Sequence, residues 1–374
     1  TVCPARSNRA DRTGLAYCLP ARRLRRLRKA AIPSLMTPAI FGIAGPRLSA
    51  EERAFFKDSD PAGYILFARN CLDRDQMRAL TDELKAIHGR EKTFISIDQE
   101  GGRVARMKPP EWNRYPAGEA FAELYDVAPA SAIEAARLNA EAIARELSEV
   151  GVTVDFHAPF DVRRPETSDV IGDRALGTDP MTVAALGRAT LDGMARGGVV
   201  GCLKHMPGHG RATVDSHKEM PVVHADAEEL EQDIAPFRAL ASHPLGMTGH
   251  LMFPAWDDAH PATQSPTIIE QVIRGAIGFD GLLLTDDIDM EALEGSVPER
   301  SERALAAGCD ITLNCWAKIP DMEGIAARNP DMSDAARARL DRVLDAIGPA
   351  PDGFETAELV ARRDAFFAAA RDAA

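Results

Sequence analysis

No apolar run in this sequence approaches the ~18 residues of a membrane-spanning helix, because a charge or a turn residue interrupts every hydrophobic stretch. No membrane partner is expected. Positive charge is scarce: 44 Lys and Arg face 57 Asp and Glu, a formal charge of −13. That balance argues against a general nucleic-acid surface, since phosphate contacts need clustered cations. Cysteine is sparse too. Six are spread over 374 residues and none forms a C-x2-C pair, which excludes a disulfide framework and the usual zinc and redox spacings. Cys202 and Cys315 lie in apolar runs, where a buried thiol behaves as a small hydrophobe. A reducing, cytoplasmic setting is the simpler expectation. There is no fixed-period repeat and no low-complexity linker. A chain of this length can close one large core, so residues 36–374 are expected to form one catalytic domain, with a monomer expected.

The first 35 residues depart from the acidic balance. They carry eight arginines and Lys29 against the single acid Asp11, and no apolar core of a secretory signal. Arg-rich, acid-poor leaders serve as targeting segments, and basic arms touch nucleic acid. The blander reading is a non-native extension, because Met36 opens the first well-patterned segment. No chemistry is expected from it.

From Met36 onward, eight short runs have strand character. They begin at Ala39, Tyr64, Thr93, Val152, Val199, Gly246, Gly281 and Asp310. Most are continuously apolar, as parallel strands covered on both faces should be. Helical segments separate them. Asp73 to His88 puts Met77, Leu80, Leu84 and Ile87 on one face. Ser131 with Glu134 reads as a capping box opening a helix that Gly151 ends. Asp179-Pro180 places a cap before a first-turn proline, and Gly197-Gly198 stops that helix. Eight βα alternations point to an α/β fold, a single (β/α)8 barrel of the TIM type, with a doubly wound sheet as the other candidate.

In either fold the chemistry belongs at the carboxyl ends of the strands. Just past those ends stand Asp98-Gln99-Glu100-Gly101-Gly102-Arg103, Lys204 to Gly210, Gly249-His250 and Thr285-Asp286-Asp287. His205 and His209 are four apart, but Pro207-Gly208 between them makes a helical metal-binding pair untenable. A metal site from His205, His209, His217 and Asp215 stays open as an alternative. Asp215, two residues before His217, is placed to orient its imidazole for general acid/base work, although a solvated loop histidine beside a chance acid has the same spacing. Asp286 ends an apolar run, the position of a carboxylate nucleophile; one of the pair Asp286-Asp287 capping a following helix is the other reading.

Six stretches together resemble glycoside hydrolase family three, specifically its bacterial single-domain β-N-acetylglucosaminidases of peptidoglycan recycling. They are D-Q-E-G-G-R-V-A-R (98–106), I-G-D-R-A-L-G (171–177), K-H-M-P-G-H-G (204–210), D-S-H (215–217), G-H-L-M-F-P-A (249–255) and G-F-D-G-L-L-L-T-D-D (278–287). They occur in the family's order and span residues 36 to 315. The resemblance implies a retaining hydrolase in which Asp286 is the nucleophile and His217 the acid/base, with Asp215 as its dyad partner. It implies that Asp98, Arg106, Arg174, Lys204 and His205 hold the N-acetylglucosamine. It also implies that no metal or organic cofactor takes part. The substrate implied is a small muropeptide, N-acetylglucosaminyl-1,6-anhydro-N-acetylmuramic acid with or without peptide.

Three features depart from the family pattern. Met206 stands where phenylalanine is common, a volume-tolerant exchange. His157 and the pair Arg163-Arg164 are unusual within segment 155–164, D-F-H-A-P-F-D-V-R-R, and residues 1–35 match none of the stretches. A rival within the family is a phosphorylase that passes the sugar to phosphate, since a histidine acid/base would not repel that anion. A rival from another class is a metal-dependent hydrolase.

Overall fold

The computed structural model describes residues 36–157, 159–329, 331–349 and 355–373. The basic segment 1–35 lies outside the described residues. Nine short strands appear in chain order: β1 (Thr37–Gly42), β2 (Pro61–Leu66), β3 (Phe94–Ile97), β4 (Val154–Asp155), β5 (Val200–Gly201), β6 (Leu203–Met206), β7 (Leu245–Thr248), β8 (Leu282–Asp287) and β9 (Ile311–Asn314). All eight apolar runs of the sequence thus become strands. Every pairing is parallel, in the order β5-β4-β3-β2-β1-β9-β8-β7-β6.

The two ends of that order are one run of chain. β5 and β6 are separated only by Cys202; β5 pairs with β4 while β6 pairs with β7. The sheet therefore returns on itself with eight strand positions, which makes it a (β/α)8 barrel rather than an open doubly wound sheet. Its interior is packed. Ile40, Ile65, Val154, Val200, Leu284 and Ile311 belong to one buried apolar cluster fed by the strands, while separate clusters fill the layer between strands and outer helices. Burial on both faces explains why the strands read as continuous apolar runs.

The helices follow their local signals, with one exception. Asp73 caps Arg74–His88 through Gln76 N–H at 2.8 Å, and Asp179 caps Pro180–Arg196 through Thr182 N–H at 2.9 Å. The capping box expected at Ser131 does not form. That helix begins earlier, at Pro129, whose ring presets the helical φ and has no N–H to satisfy. Ser131 consequently sits in the first turn, and Glu134 pairs with Arg137. Among the described residues no helix is long and apolar enough to cross a membrane.

One close approach fixes the loop that leaves β6. A Cβ on Gly210 would lie 1.9 Å from the Val162 carbonyl oxygen. Gly210→Ala is therefore expected to cost about 3 kcal/mol or more, as backbone overpacking does, read as a fall in thermal midpoint. A wild-type midpoint in that variant would contradict the packing described.

Candidate active site

The carboxyl ends of β2, β3, β6, β8 and β9 surround a pocket of about 280 Å³. Its wall includes Asp98, Arg106, Arg174, Lys204, His205, His217 and Asp286. Seven of the eight site residues anticipated from sequence thus line one cavity. The eighth, Asp215, is bonded to His217 behind it.

The floor is an ion cluster built around Glu100, an acid inside the stretch 98–106 to which motif and spacing assign no role. Glu100 is buried and takes Arg174 in a two-pronged pair, Nε to Oε2 at 2.8 Å and an Nη to Oε1 at 2.7 Å. Lys204 Nζ donates to the same Oε1 at 2.6 Å and to the Phe156 carbonyl at 2.6 Å. Burial alone would raise the Glu100 pKa, but Arg174 and Lys204 outweigh it and hold the carboxyl well below its usual range. The converse holds for Lys204: burial opposes its charge, while Glu100 and Asp98 restore it and raise its pKa. Lys204 also lies 3.6 Å from Asp98, whose other oxygen accepts from Arg106 at 3.1 Å. Two carboxylates and three cations thus alternate across the pocket. Removing one partner strands charge in low dielectric. Glu100→Gln is expected to lose about 3–5 kcal/mol of stability by chemical denaturation; a loss below about 1 kcal/mol would show that Glu100 does not carry the cluster.

A second buried acid orders the β6 turn. Asp161 is fully buried and accepts from His205 Nδ1 at 2.8 Å, from His205 N–H at 3.2 Å and from His209 N–H at 2.7 Å. The peptide bonds Lys204-His205 and Met206-Pro207 are cis. Burial pushes the Asp161 carboxyl up, but His205 and His209 outweigh it and bring it down, so it is ionised and His205 carries its proton on Nδ1. His205 Nε2 is thereby turned toward Asp286, 3.9 Å from Oδ2.

Asp286 is the penultimate residue of β8, with its side chain on the pocket wall. Burial would raise its pKa; His205, His250, the Asp287 N–H and His217 together hold it down at about 2. Asp287 behaves in the opposite way. Burial and neighbouring Asp289 push its carboxyl up, and its Oδ1 accepts from the N–H groups of Asp289 at 3.1 Å and Cys315 at 3.2 Å. The two adjacent aspartates therefore differ: Asp286 is the anion in the pocket, and Asp287 braces the loops behind it. Neither caps a helix, since the helix that follows, Val297–Ala307, is capped at Ser296. His250 supports the pair from below, with Nδ1 on Thr263 Oγ1 at 2.8 Å and Nε2 on the Asp287 carbonyl at 3.0 Å.

His217 rides the irregular loop after β6 with 61% of its side chain exposed. Its Nδ1 lies 2.8 Å from Asp215 Oδ1, which also accepts the His217 N–H at 3.0 Å. Partial burial would raise the Asp215 pKa, but these bonds and the charges of His217 and Lys218 lower it. An ionised Asp215 fixes the Nδ1–H tautomer and leaves Nε2 for proton transfer. The rings of His205 and His209 meet edge-on at 5.6 Å, and His209 Nε2 faces Ser216 Oγ at 3.2 Å. Burial and His205 push His209 down to about 4, so it is neutral. Among the described residues no group of three or more His, Cys, Asp or Glu is placed to hold a metal.

The unusual residues of segment 155–164 are buried or ion-paired. His157 is buried, which pushes its pKa down to about 4. Arg163 pairs with Glu119, and Arg164 with Asp233 at 3.0 Å.

A parallel barrel with a carboxylate at one strand end, a paired histidine on a neighbouring loop and a bed of alternating charges defines a glycoside-processing site. Residues 26–344 match the model of the glycosyl hydrolase family 3 N-terminal domain, and the chain belongs to that family. Within it the chain is an enzyme of the bacterial β-hexosaminidase class, NagZ type. It is 40% identical over 315 residues to the β-hexosaminidase of Alkalilimnicola ehrlichii, covering 83% of this chain and 89% of the relative. It is 35% identical over 331 residues to that of Bordetella avium, covering 87% and 93%. NagZ from Neisseria gonorrhoeae, solved with N-trifluoroacetyl-D-glucosamine, superposes with a TM-score of 0.79 at 31% identity, over 89% of this chain and 98% of that one.

Proposed function

We propose that the enzyme is a retaining β-N-acetylglucosaminidase that releases N-acetylglucosamine from peptidoglycan-derived N-acetylglucosaminyl-anhydro-N-acetylmuramic acid and its peptides. The observation that carries this reading is the sharing of one sugar-sized pocket by Asp286, His217 and the cluster Asp98, Arg106, Arg174, Lys204 and His205. The N-acylated glucosamine bound to the Neisseria gonorrhoeae relative supports the glycone assignment. Sugar hydroxyls need several oriented donors and acceptors, which alternating carboxylates and cations supply.

In the first step an Asp286 oxygen attacks the anomeric carbon. The bond to the leaving oxygen breaks with its electron pair, and His217 Nε2 delivers the proton that neutralises it. In the second step His217 takes a proton from water, the resulting nucleophile attacks the same carbon, and the Asp286 ester bond breaks. Two inversions return the β configuration. Asp215 stabilises the imidazolium formed in the second step, and neither step calls for a metal or organic cofactor. The acetamido group is recognised rather than used as nucleophile, because Asp286 takes that part.

Hydrolysis of that disaccharide followed by NMR tests the reading. The first-formed N-acetylglucosamine is expected as the β anomer, at a rate that phosphate does not alter. An α product would remove the covalent mechanism, and a sugar 1-phosphate that replaces free sugar when phosphate is added would make the enzyme a phosphorylase.

A further inference from the structure

A pocket of about 280 Å³ is at the small end of ligand sites and suits a single sugar ring. The group leaving from that ring must then lie across the rim. On the rim, one residue past the pocket-lining Cys315, stands Trp316 with 59% of its surface exposed. An indole left this open forgoes a large burial energy.

Its backbone is nevertheless firmly held. Asp289 Oδ2 accepts from Asn314 Nδ2 at 2.8 Å, from Cys315 N–H at 3.0 Å and from Trp316 N–H at 3.2 Å. The next residue, Ala317, takes a left-handed φ of 56°, a conformation that costs a side-chain-bearing residue on the order of 1 kcal/mol or more and collects at functional sites. Beyond it, the Lys318 ammonium sits 4.6 Å from the centre of the indole ring. Asp289 is occupied by its three donors, and no carboxylate among the described residues forms an ion pair with Lys318. An exposed indole and a cation with no carboxylate partner among the described residues thus stand side by side in the loop that leaves β9, directly after the pocket-lining Cys315.

We propose that Trp316 and Lys318 form the platform for the leaving sugar, with the indole stacking on the C–H face of a second pyranose and the ammonium pairing with a carboxylate on it. The inference rests on the glycosidase reading above and adds to it the residues that would hold the anionic leaving sugar. A pyranose presents an apolar face of ring C–H bonds that matches an aromatic surface, and a carboxylate beside an ammonium gains a charge-assisted hydrogen bond.

Three substrates separate the contributions: N-acetylglucosaminyl fluoride, which has no second sugar; N,N′-diacetylchitobiose, whose second sugar is neutral; and N-acetylglucosaminyl-anhydro-N-acetylmuramic acid, whose second sugar is anionic. For Trp316→Ala, kcat/KM on both disaccharides relative to the fluoride is expected to fall about tenfold, chiefly through KM. For Lys318→Ala the ratio is expected to fall about threefold or more for the anionic disaccharide alone, and the difference should fade in high salt. Unchanged ratios in Trp316→Ala, or equal effects of Lys318→Ala on both disaccharides, would overturn the platform while leaving the glycosidase intact. If the wild-type enzyme turned over none of the three substrates, the glycosidase reading would fail and the platform with it.

Discussion

Asp286→Ala is expected to lower turnover of an aryl β-N-acetylglucosaminide by about four orders of magnitude or more, the scale on which loss of a covalent nucleophile acts. The expectation rests on position and charge together. Asp286 is delivered to the pocket by β8, is held ionised at about 2, and has His205 Nε2 at 3.9 Å. A carboxyl with so low a pKa is an anion throughout the range in which the protein is used. Its protonation occurs only as pH falls toward 2, so any loss of kcat/KM between pH 7 and pH 4 must come from another group. The alanine variant should keep its fold, because the ion cluster around Glu100 and the Asp161 bonds do not involve Asp286. Steady-state rates with circular dichroism on the same sample provide the check. Activity above about one per cent of wild type in a folded Asp286→Ala protein would remove the assignment.

His217→Ala is expected to separate substrates by their leaving groups. A sugar alkoxide needs a proton as the bond breaks, so disaccharide cleavage should fall by about 10²–10⁴-fold, the usual worth of a general acid. An activated phenolate leaves without help, and the first chemical step on such a substrate should change far less. Asp215→Asn should move in the same direction with a smaller loss, since it keeps a hydrogen-bonding partner for Nδ1 but removes the charge that stabilises the imidazolium. Rates across a series of leaving groups of graded acidity give the test: a slope steeper than wild type supports the role, and an unchanged slope refutes it. The loop carries little burial energy, and His217 is largely exposed. Its contribution should therefore appear in the chemistry and not in the unfolding free energy.

The contrast between these residues shows what kinds of information a sequence holds. Asp286 was legible because an apolar strand run ends on it. His217, with its exposed side chain and no secondary structure around it, took meaning only from Asp215 and the motif upstream. Glu100 and Asp161 lie within the stretches 98–106 and 155–164 but declare no role there, since an acid inside a motif shows no sign of being the shared counter-ion of distant cations. The capping box at Ser131 failed for a local reason: Pro129 offered an earlier start, and two adequate signals competed within one turn.

By itself, the sequence determined the strand runs, the Asp179 cap and the placement of Asp98, Lys204 and Asp286 in or just past the strands. These follow from periodicity, backbone chirality and chain order, which act over a few residues. Tertiary structure decided three further matters. It closed the barrel at Cys202, where one interrupted run serves both ends of the sheet. It gathered Arg174 and Lys204 onto Glu100 and turned His205 toward Asp286 through Asp161. It also left Trp316 exposed beside Lys318, one residue past the pocket-lining Cys315. Each depends on distances between residues remote along the chain, and in a low-dielectric interior those distances set charge state and orientation.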